Sequence, residues 1–294
     1  MGKSIEEICD LLYGTKEYYD DFVNRITCHE SDDFEKEHHE FLIVKHGKEV
    51  VDAYDKIHSK WENAEDTIQK DKIYEKMLYF VYESGLCDNL DPEINLRGKT
   101  TLEHILKHLS IKKKLFNVLD LGSGEGKIDI GVALGIKNAK MIYAVDNCLA
   151  AQYRLKENIS KLSDEDKNYV QRKIVPIHGD FTDKKFLEKN LEKNGRPDIF
   201  ILANTYLPIE EQIKLFVDFA PKNGEMLISQ PISFPEETRQ QAAYPPAFVE
   251  GLVDCQEYQL SEIGKEFGVS FELVEFDEFS SGIVQLTERV KFEK

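Results

Sequence analysis

The sequence predicts an α/β fold: a mostly parallel sheet that closes in an antiparallel hairpin and is preceded by a helical segment. Three observations carry this reading. From about residue 99, short apolar runs alternate with amphipathic stretches, the pattern of βα units around a parallel sheet. The last two apolar runs, "VSFELVEF" and "GIVQLTERVKF", are separated only by "DEFSSG", too short for a crossover connection. Before residue 85, apolar residues recur three and four apart, and proline is absent until Pro92.

In chain order, "SIEEICDLLY", "KEYYDDFVNRI", "KEVVDAYDKIHSKW" and "DKIYEKMLYFVYESG" read as helices, with Gly14, Gly47 and Gly85 at helix ends. Residues 86–98, "LCDNLDPEINLRG", read as a connector. It divides an N-terminal helical domain, 1–98, from a sheet domain, 99–294. There the spacing predicts helix 100–109, strand 116–121, helix 127–135, strand 140–145 and helix 149–162. Strand 173–178, helix 183–193, strand 198–203, helix 209–219 and strand 225–230 follow. The Pro-rich stretch 231–247 reads as a loop or lid, and a short helix near 256–266 leads into the hairpin. A parallel sheet ending in a hairpin is the shape of the class I methyltransferases.

Composition bounds the function. The formal net charge of −17 argues against general nucleic-acid binding, which needs clustered Lys and Arg. Residues 1–90 carry 22 acidic and 11 basic side chains, either a solvated surface or a docking face for a basic partner. The five cysteines (Cys9, Cys28, Cys87, Cys148, Cys255) are scattered without a CxxC, as expected of reduced intracellular thiols. The charged start "MGKSIEEICD" is no signal peptide and no apolar run is long enough to span a membrane, so a soluble intracellular protein is expected.

The stretch with most chemical content is "FNVLDLGSGEG", a buried-strand pattern running into Gly122, Gly124 and Gly126. A P-loop is excluded, since no G-x-x-x-x-G-K-[ST] occurs. A dinucleotide fingerprint places its third glycine one residue later, where this chain has Lys127. Asp120, just before the loop, would repel a pyrophosphate but attract an ammonium, and S-adenosylmethionine carries an α-ammonium and no phosphate. The next strand ends at Asp146, able to accept both ribose hydroxyls, with Asn147 beside it. The third ends in "IHGDF", where Asp180 can accept the adenine amino group and Phe181 can face the ring. The expected donor-binding residues are therefore Asp120, Gly122, Ser123, Gly124, Gly126, Lys127, Asp146, Asn147, Asp180, Phe181 and Asn204. After the fourth strand, Asn204 could orient a methyl acceptor and Tyr206 could wall it from water, and these two are the candidate catalytic residues. His104 and His108 stand i, i+4 on one helix, but no third metal ligand is evident, and a packed or surface pair is expected.

On these residues the chain resembles the disruptor-of-telomeric-silencing (Dot-one type) histone methyltransferases. The family's Asp-Leu-Gly-Ser-Gly-x-Gly-Gln is similar to Asp120–Lys127, its Gly-Asp-Phe to Gly179-Asp180-Phe181 and its Asn-Asn-Phe to Asn204-Thr205-Tyr206. "FAPKNGEMLISQPISF" resembles a further strand of the family, and "VVDAYDKIHSKW" and "KMLYFVYESGLCDNLDPEIN" resemble its helical domain. The likeness covers roughly 48–233. It implies S-adenosylmethionine as cofactor, lysine in a basic protein such as a histone as acceptor, and Thr100 in the donor set through the family's Tyr-Gly-Glu-Thr. That motif here is Arg97-Gly98-Lys99-Thr100, and the loop's Gln is Lys127, so two donor-side positions carry cations instead. The family's basic DNA-gripping segments have no counterpart in this acidic chain, so DNA contact is not expected. Small-molecule or nucleic-acid methylation on the same fold, and a non-catalytic binding protein, are the alternatives.

Overall fold

The computed structural model describes residues 3–15, 31–64, 67–86, 92–203, 207–233, 253, 260–278 and 283–292. Five helices come first: α1 (Ile5–Tyr13), α2 (Ser31–His46), α3 (Lys48–Glu62), α4 (Thr67–Ser84) and α5 (Pro92–Ser110). The sheet domain then runs β1 (Phe116–Leu121), α6 (Lys127–Gly135), β2 (Ala139–Asp146), α7 (Leu149–Ser160), α8 (Asp164–Gln171) and β3 (Ile174–His178). It continues through α9 (Lys184–Asn194), β4 (Ile199–Ala203), α10 (Ile209–Phe219) and β5 (Glu225–Ser233), and ends in β6 (Val269–Glu278) and β7 (Ile283–Phe292). The seven strands form one sheet in the order β3-β2-β1-β4-β5-β7-β6. Strands β1 to β5 pair in parallel, while β7 lies antiparallel between β5 and β6. This order with this hairpin is the class I methyltransferase fold, as the alternating pattern predicts.

The alternation of side chains sorts the sheet into two cores. Val118, Ile142, Ala144, Ile201 and Leu227 face α1, α5, α6 and α7, where Ile8, Leu102, Ile105, Ile130 and Leu155 are buried. Leu119, Leu121, Val145, Phe200, Leu202 and Ile228 face the other way, onto Leu187 and Leu191 of α9 and Ile213 and Phe216 of α10. A separate small core joins α2, α3 and α4 through Leu42, Val51, Met77 and Val81. Trp61 belongs to that layer, its ring 6.4 Å from Tyr74.

Several boundaries differ from the sequence expectation. The helix expected from residue 100 begins at Pro92, because proline, which lacks an N–H, suits a first helical turn whose N–H groups have no acceptor within the helix. So α5 spans both the second half of the expected connector and the boundary at 98. α1 joins the main core through Ile8 and Cys9 rather than packing with α2 to α4. Helices α2 and α8 are additions. α8 buries only Val170 and so lacks an apolar stripe; its signals are Ser163, which caps Asp166, and the acidic first turn Asp164, Glu165 and Asp166. Strand β5 extends to Ser233, into the expected loop 231–247, the rest of which lies outside the described residues. The expected helix 16–26 also lies outside them.

A polar seam locks α5 onto the hairpin. His104 meets the Thr287 hydroxyl through Nδ1 at 2.9 Å and the Asp277 carboxylate through Nε2 at 2.8 Å. Thr287 and Thr101 each lie 3.0 Å from the Ser229 hydroxyl, to which the Gln285 amide donates at 2.9 Å. A carboxylate can only accept, so the Nε2 facing Asp277 carries a proton. His108 instead bonds Glu225 at 3.0 Å, with Lys112 2.5 Å from the same carboxylate. Although burial opposes ionisation, these bonds hold Glu225 down to about 2. Both histidines are thus engaged in packing α5 to the sheet. His104→Ala is expected to cost about 2–3 kcal/mol, read from urea unfolding, because it strands buried hydroxyls.

Candidate functional site

In open α/β sheets the ligand crevice lies beyond the carboxyl ends of the strands, where strand order reverses. Here that point is between β1 and β4, and the glycine loop leaves β1 at it. The loop is tied down by its backbone: the N–H groups of Gly122 and Ser123 donate to the Val145 carbonyl at 2.9 and 3.0 Å. Its shape requires glycine, with φ of +82° at Gly122, +54° at Gly124 and +73° at Gly126. A Cβ on Gly126 would lie 2.1 Å from Leu155 Cδ1, so α7 packs directly against the start of α6. A Cβ on Gly124 would lie 3.2 Å from the Tyr82 hydroxyl, so α4 of the helical layer reaches the loop.

Three carboxyls gather under this loop. Asp146 ends β2; its Oδ2 accepts the Gly124 N–H at 2.8 Å and its Oδ1 accepts the Cys148 N–H at 2.7 Å. Each oxygen keeps a second lone pair, which suits it to ribose hydroxyls. Asp120, the penultimate residue of β1, is 2% exposed, while Asp129, in the first turn of α6, is 1% exposed. Burial raises Asp120 to about 7 and lifts Asp129 well above the carboxylate range, where the Asp120 charge raises it further. The two carboxyls act on one another directly, yet neither Asp129 oxygen has a well-formed hydrogen bond among the described residues. The buried Ser123 hydroxyl in the loop likewise has none.

A carboxyl that is harder to ionise when folded makes folding proton-dependent. The pair's contribution is fully present below about pH 4, the unfolded value, and fades as pH rises through the folded value, about 7 for Asp120. Asp129→Asn should therefore melt above the parent at pH 8 and level with it at pH 4, as circular-dichroism melting would show.

The outer residues fall as follows. Asp180 follows β3 on the surface, its Oδ1 taking the Thr182 N–H at 2.8 Å and hydroxyl at 2.6 Å, so it caps its own turn and keeps one oxygen outside that turn. Phe181 packs partly against the α9–α10 core, and Asn147 is exposed, its carbonyl 3.0 Å from His178 Nε2. Thr100 is half-buried on α5. The structure thus brings Asp120, Gly122, Ser123, Gly124, Gly126 and Asp146 together, with Asn147, Asp180 and Phe181 at the ends of the adjoining strands. Asn204 and Tyr206 lie outside the described residues, directly after Ala203 at the carboxyl end of β4.

The two unexpected cations are tied to the N-terminal helix. Lys127, 8% exposed, has its ammonium 2.6 Å from Glu125, 3.3 Å from the Asn95 side-chain oxygen and 5.1 Å from the centre of the Tyr13 ring. Lys99 binds Asp10 at 2.6 Å and the Gly14 carbonyl at 2.8 Å. A Cβ on Gly98 would lie 2.7 Å from the Tyr13 ring, so α5 and α1 touch at that point. Both cations hold the end of α1 to α5 and the loop, which accounts for their presence where the resembling family has Gln and Glu. Lys127→Gln is expected to lower stability by about 1–3 kcal/mol, measured by urea unfolding, while ligand affinity changes less than about threefold.

Asp129 and Tyr82 are the residues at the site that sequence reasoning missed. Asp129 had a signal, a lone carboxylate inside the apolar stretch "IDIGVALG". Tyr82 had none, since it reaches the loop only through the packing of a separate helical layer. Among the described residues no group of His, Cys, Asp or Glu is placed to hold a metal ion, and no helix is long and apolar enough to cross a membrane. Cys9 and Cys148 are free thiols.

No protein-family model matches the chain, and no curated protein resembles it significantly. Among solved structures it is similar to a Pyrococcus horikoshii protein assigned as a transferase, at 16% identity and a TM-score of 0.43, covering 66% of this chain and 64% of that one. It is similar to P. horikoshii TYW2 in complex with MeSAdo, at 17% and 0.44, covering 65% and 62%. It is also similar to magnesium protoporphyrin IX methyltransferase from Synechocystis with bound SAM, at 14% and 0.46, covering 67% and 81%. The chain therefore spans less than two thirds of the first two.

Proposed function

We propose that this chain is an S-adenosylmethionine-dependent methyltransferase acting on a protein lysine. The observation that carries the donor assignment is the glycine loop at the switch point, ringed by the carboxyls of Asp120, Asp129 and Asp146. A phosphate-bearing cofactor would meet like charge there, whereas an α-ammonium and two ribose hydroxyls meet acceptors. The buried Ser123 hydroxyl, without a partner among the described residues, supports a ligand with its own polar groups.

Gly122 to Gly126 would hold the methionyl end, Asp146 the ribose, and Asp180 with Phe181 the adenine. The cofactor, when bound, supplies an electrophilic methyl group on a sulfonium. The rest falls to the protein. A lysine must be neutral to attack, and deprotonating it near pH 7.4 costs about 4 kcal/mol from a reference pKa of ~10.4. A narrow apolar channel reduces that cost by desolvating the ammonium, so no dedicated base is needed. Tyr206 and Phe181 are the proposed walls and Asn204 the orienting acceptor. Support for lysine comes from the motif resemblance at Asp120–Lys127, Gly179–Phe181 and Asn204–Tyr206, and from an acidic chain suited to a basic substrate.

Labelled methyl transfer to purified basic proteins and to nucleosomes tests this. Product on a lysine, lost in Asn204→Ala, is the expected result. Product only on small molecules or nucleic acid would overturn the acceptor assignment.

A further inference from the structure

The donor site holds more carboxyl groups than the ribose and ammonium of its proposed ligand require. Asp120 and Asp129 are both essentially inaccessible to water, on adjacent elements β1 and α6, with Asp146 acting on both. Several charged groups on the surrounding elements have partners elsewhere. Lys127 on α6 is held by Glu125 and Asn95, Lys99 on α5 by Asp10, and Arg154 on α7 by Glu157 at 2.7 Å. Lys173, before β3, binds the Ala133 and Ile136 carbonyls at the far end of α6, and His178 on β3 bonds the Asn147 carbonyl. Lys3, at the start of α1, pairs with Asp166 of α8 at 2.6 Å. His104 on α5 is committed to Thr287 and Asp277. The charges that raise Asp129 are those of Asp120 and Asp146.

Two adjacent buried carboxyls cannot both ionise without a counter-charge, so the stable free state keeps a proton on the pair. We propose that Asp129 is the second half of an ammonium-recognition pair. Below neutral pH both carboxyls of the free protein are protonated, and the pair gives up one proton to solvent when the α-ammonium of the methionyl ligand enters the loop, keeping the other between them. No covalent bond to carbon changes; one proton leaves the pair as one cationic group arrives. The pair then favours ligands with a primary ammonium over those that share only the adenosine portion. This rests on the donor-site reading given above.

Isothermal calorimetry of the full chain with S-adenosylhomocysteine, whose amine stays protonated at pH 6–7, tests it in two buffers of different ionisation enthalpy. About one proton should be released per ligand bound at pH 6, and affinity should rise roughly tenfold per pH unit while the pair is still protonated. 5′-Methylthioadenosine, which lacks the amino-acid end, should bind without that release. In Asp129→Asn, which keeps the shape but removes the second carboxyl, the preference for S-adenosylhomocysteine over methylthioadenosine should fall roughly tenfold, and an unchanged preference would overturn the role of Asp129. Binding of S-adenosylhomocysteine with no buffer-dependent heat in the parent protein would overturn the proposal, as would equal release by methylthioadenosine. The parent measurement stands whether or not the variant folds. Absence of binding by either ligand would remove the donor-site reading and this proposal with it, a result distinct from binding without proton release.

Discussion

Asp146→Ala is expected to weaken S-adenosylhomocysteine binding by more than about 100-fold, the largest single loss at the donor site. Two effects combine. The carboxylate is the proposed acceptor for two ribose hydroxyls, and hydrogen bonds to a charged group contribute about 1.5–3 kcal/mol each. It also fixes the loop, taking the Gly124 N–H at 2.8 Å and the Cys148 N–H at 2.7 Å, so its removal frees the loop that must meet the methionyl end. Asp146→Asn separates the two effects, because its side-chain oxygen can still accept one of these N–H groups. It should recover loop order, seen as restored thermal stability, but not full affinity. Calorimetric titration of both variants checks this, and unchanged affinity in Asp146→Ala would remove the donor-site assignment.

The sheet domain was legible because its sequence is locally consistent. Helices 127–135 and 209–219 and strand 116–121 were placed to the residue, each bounded by a glycine, a proline or a charged cluster and each with an apolar face. Asp120, Asp146 and Asp180 are legible for a related reason: in a parallel sheet the carboxyl ends of the strands border one crevice, and these residues lie at or just beyond the ends of β1, β2 and β3. What failed was whatever depends on packing between elements distant in sequence. Pro92 reads as a breaker until its place in a first turn is known. The attachment of α1 to the main core rests on Ile8, Cys9 and Tyr13 meeting α5 and α6 about a hundred residues on, and no local period encodes that. The loop motif places Lys127 in the donor set, but its contacts with Asn95 and Tyr13 are invisible to that motif.

Gly126→Ala should be the most destabilising small substitution in the sheet domain. Its φ of +73° lies in the left-handed region, where an L side chain costs about 1–2 kcal/mol. An added Cβ would also stand 2.1 Å from Leu155 Cδ1, inside the main core, and relieving such overpacking costs about 1–3 kcal/mol more. Together these predict a loss of about 2–5 kcal/mol, read as a lower urea midpoint. Gly195→Ala provides the comparison, since φ there is +94° but the nearest atom, on Asn117, would be 4.0 Å away. It should lose only the backbone part. The double variant Gly126→Ala with Leu155→Ala should then be less destabilised than the sum of the two single changes, because truncating Leu155 opens the space the new methyl needs. Strict additivity would mean that the glycine is required for its backbone angle alone. Sub-additive losses would show instead that Gly126 is where α7 fixes the height of the donor loop above the sheet.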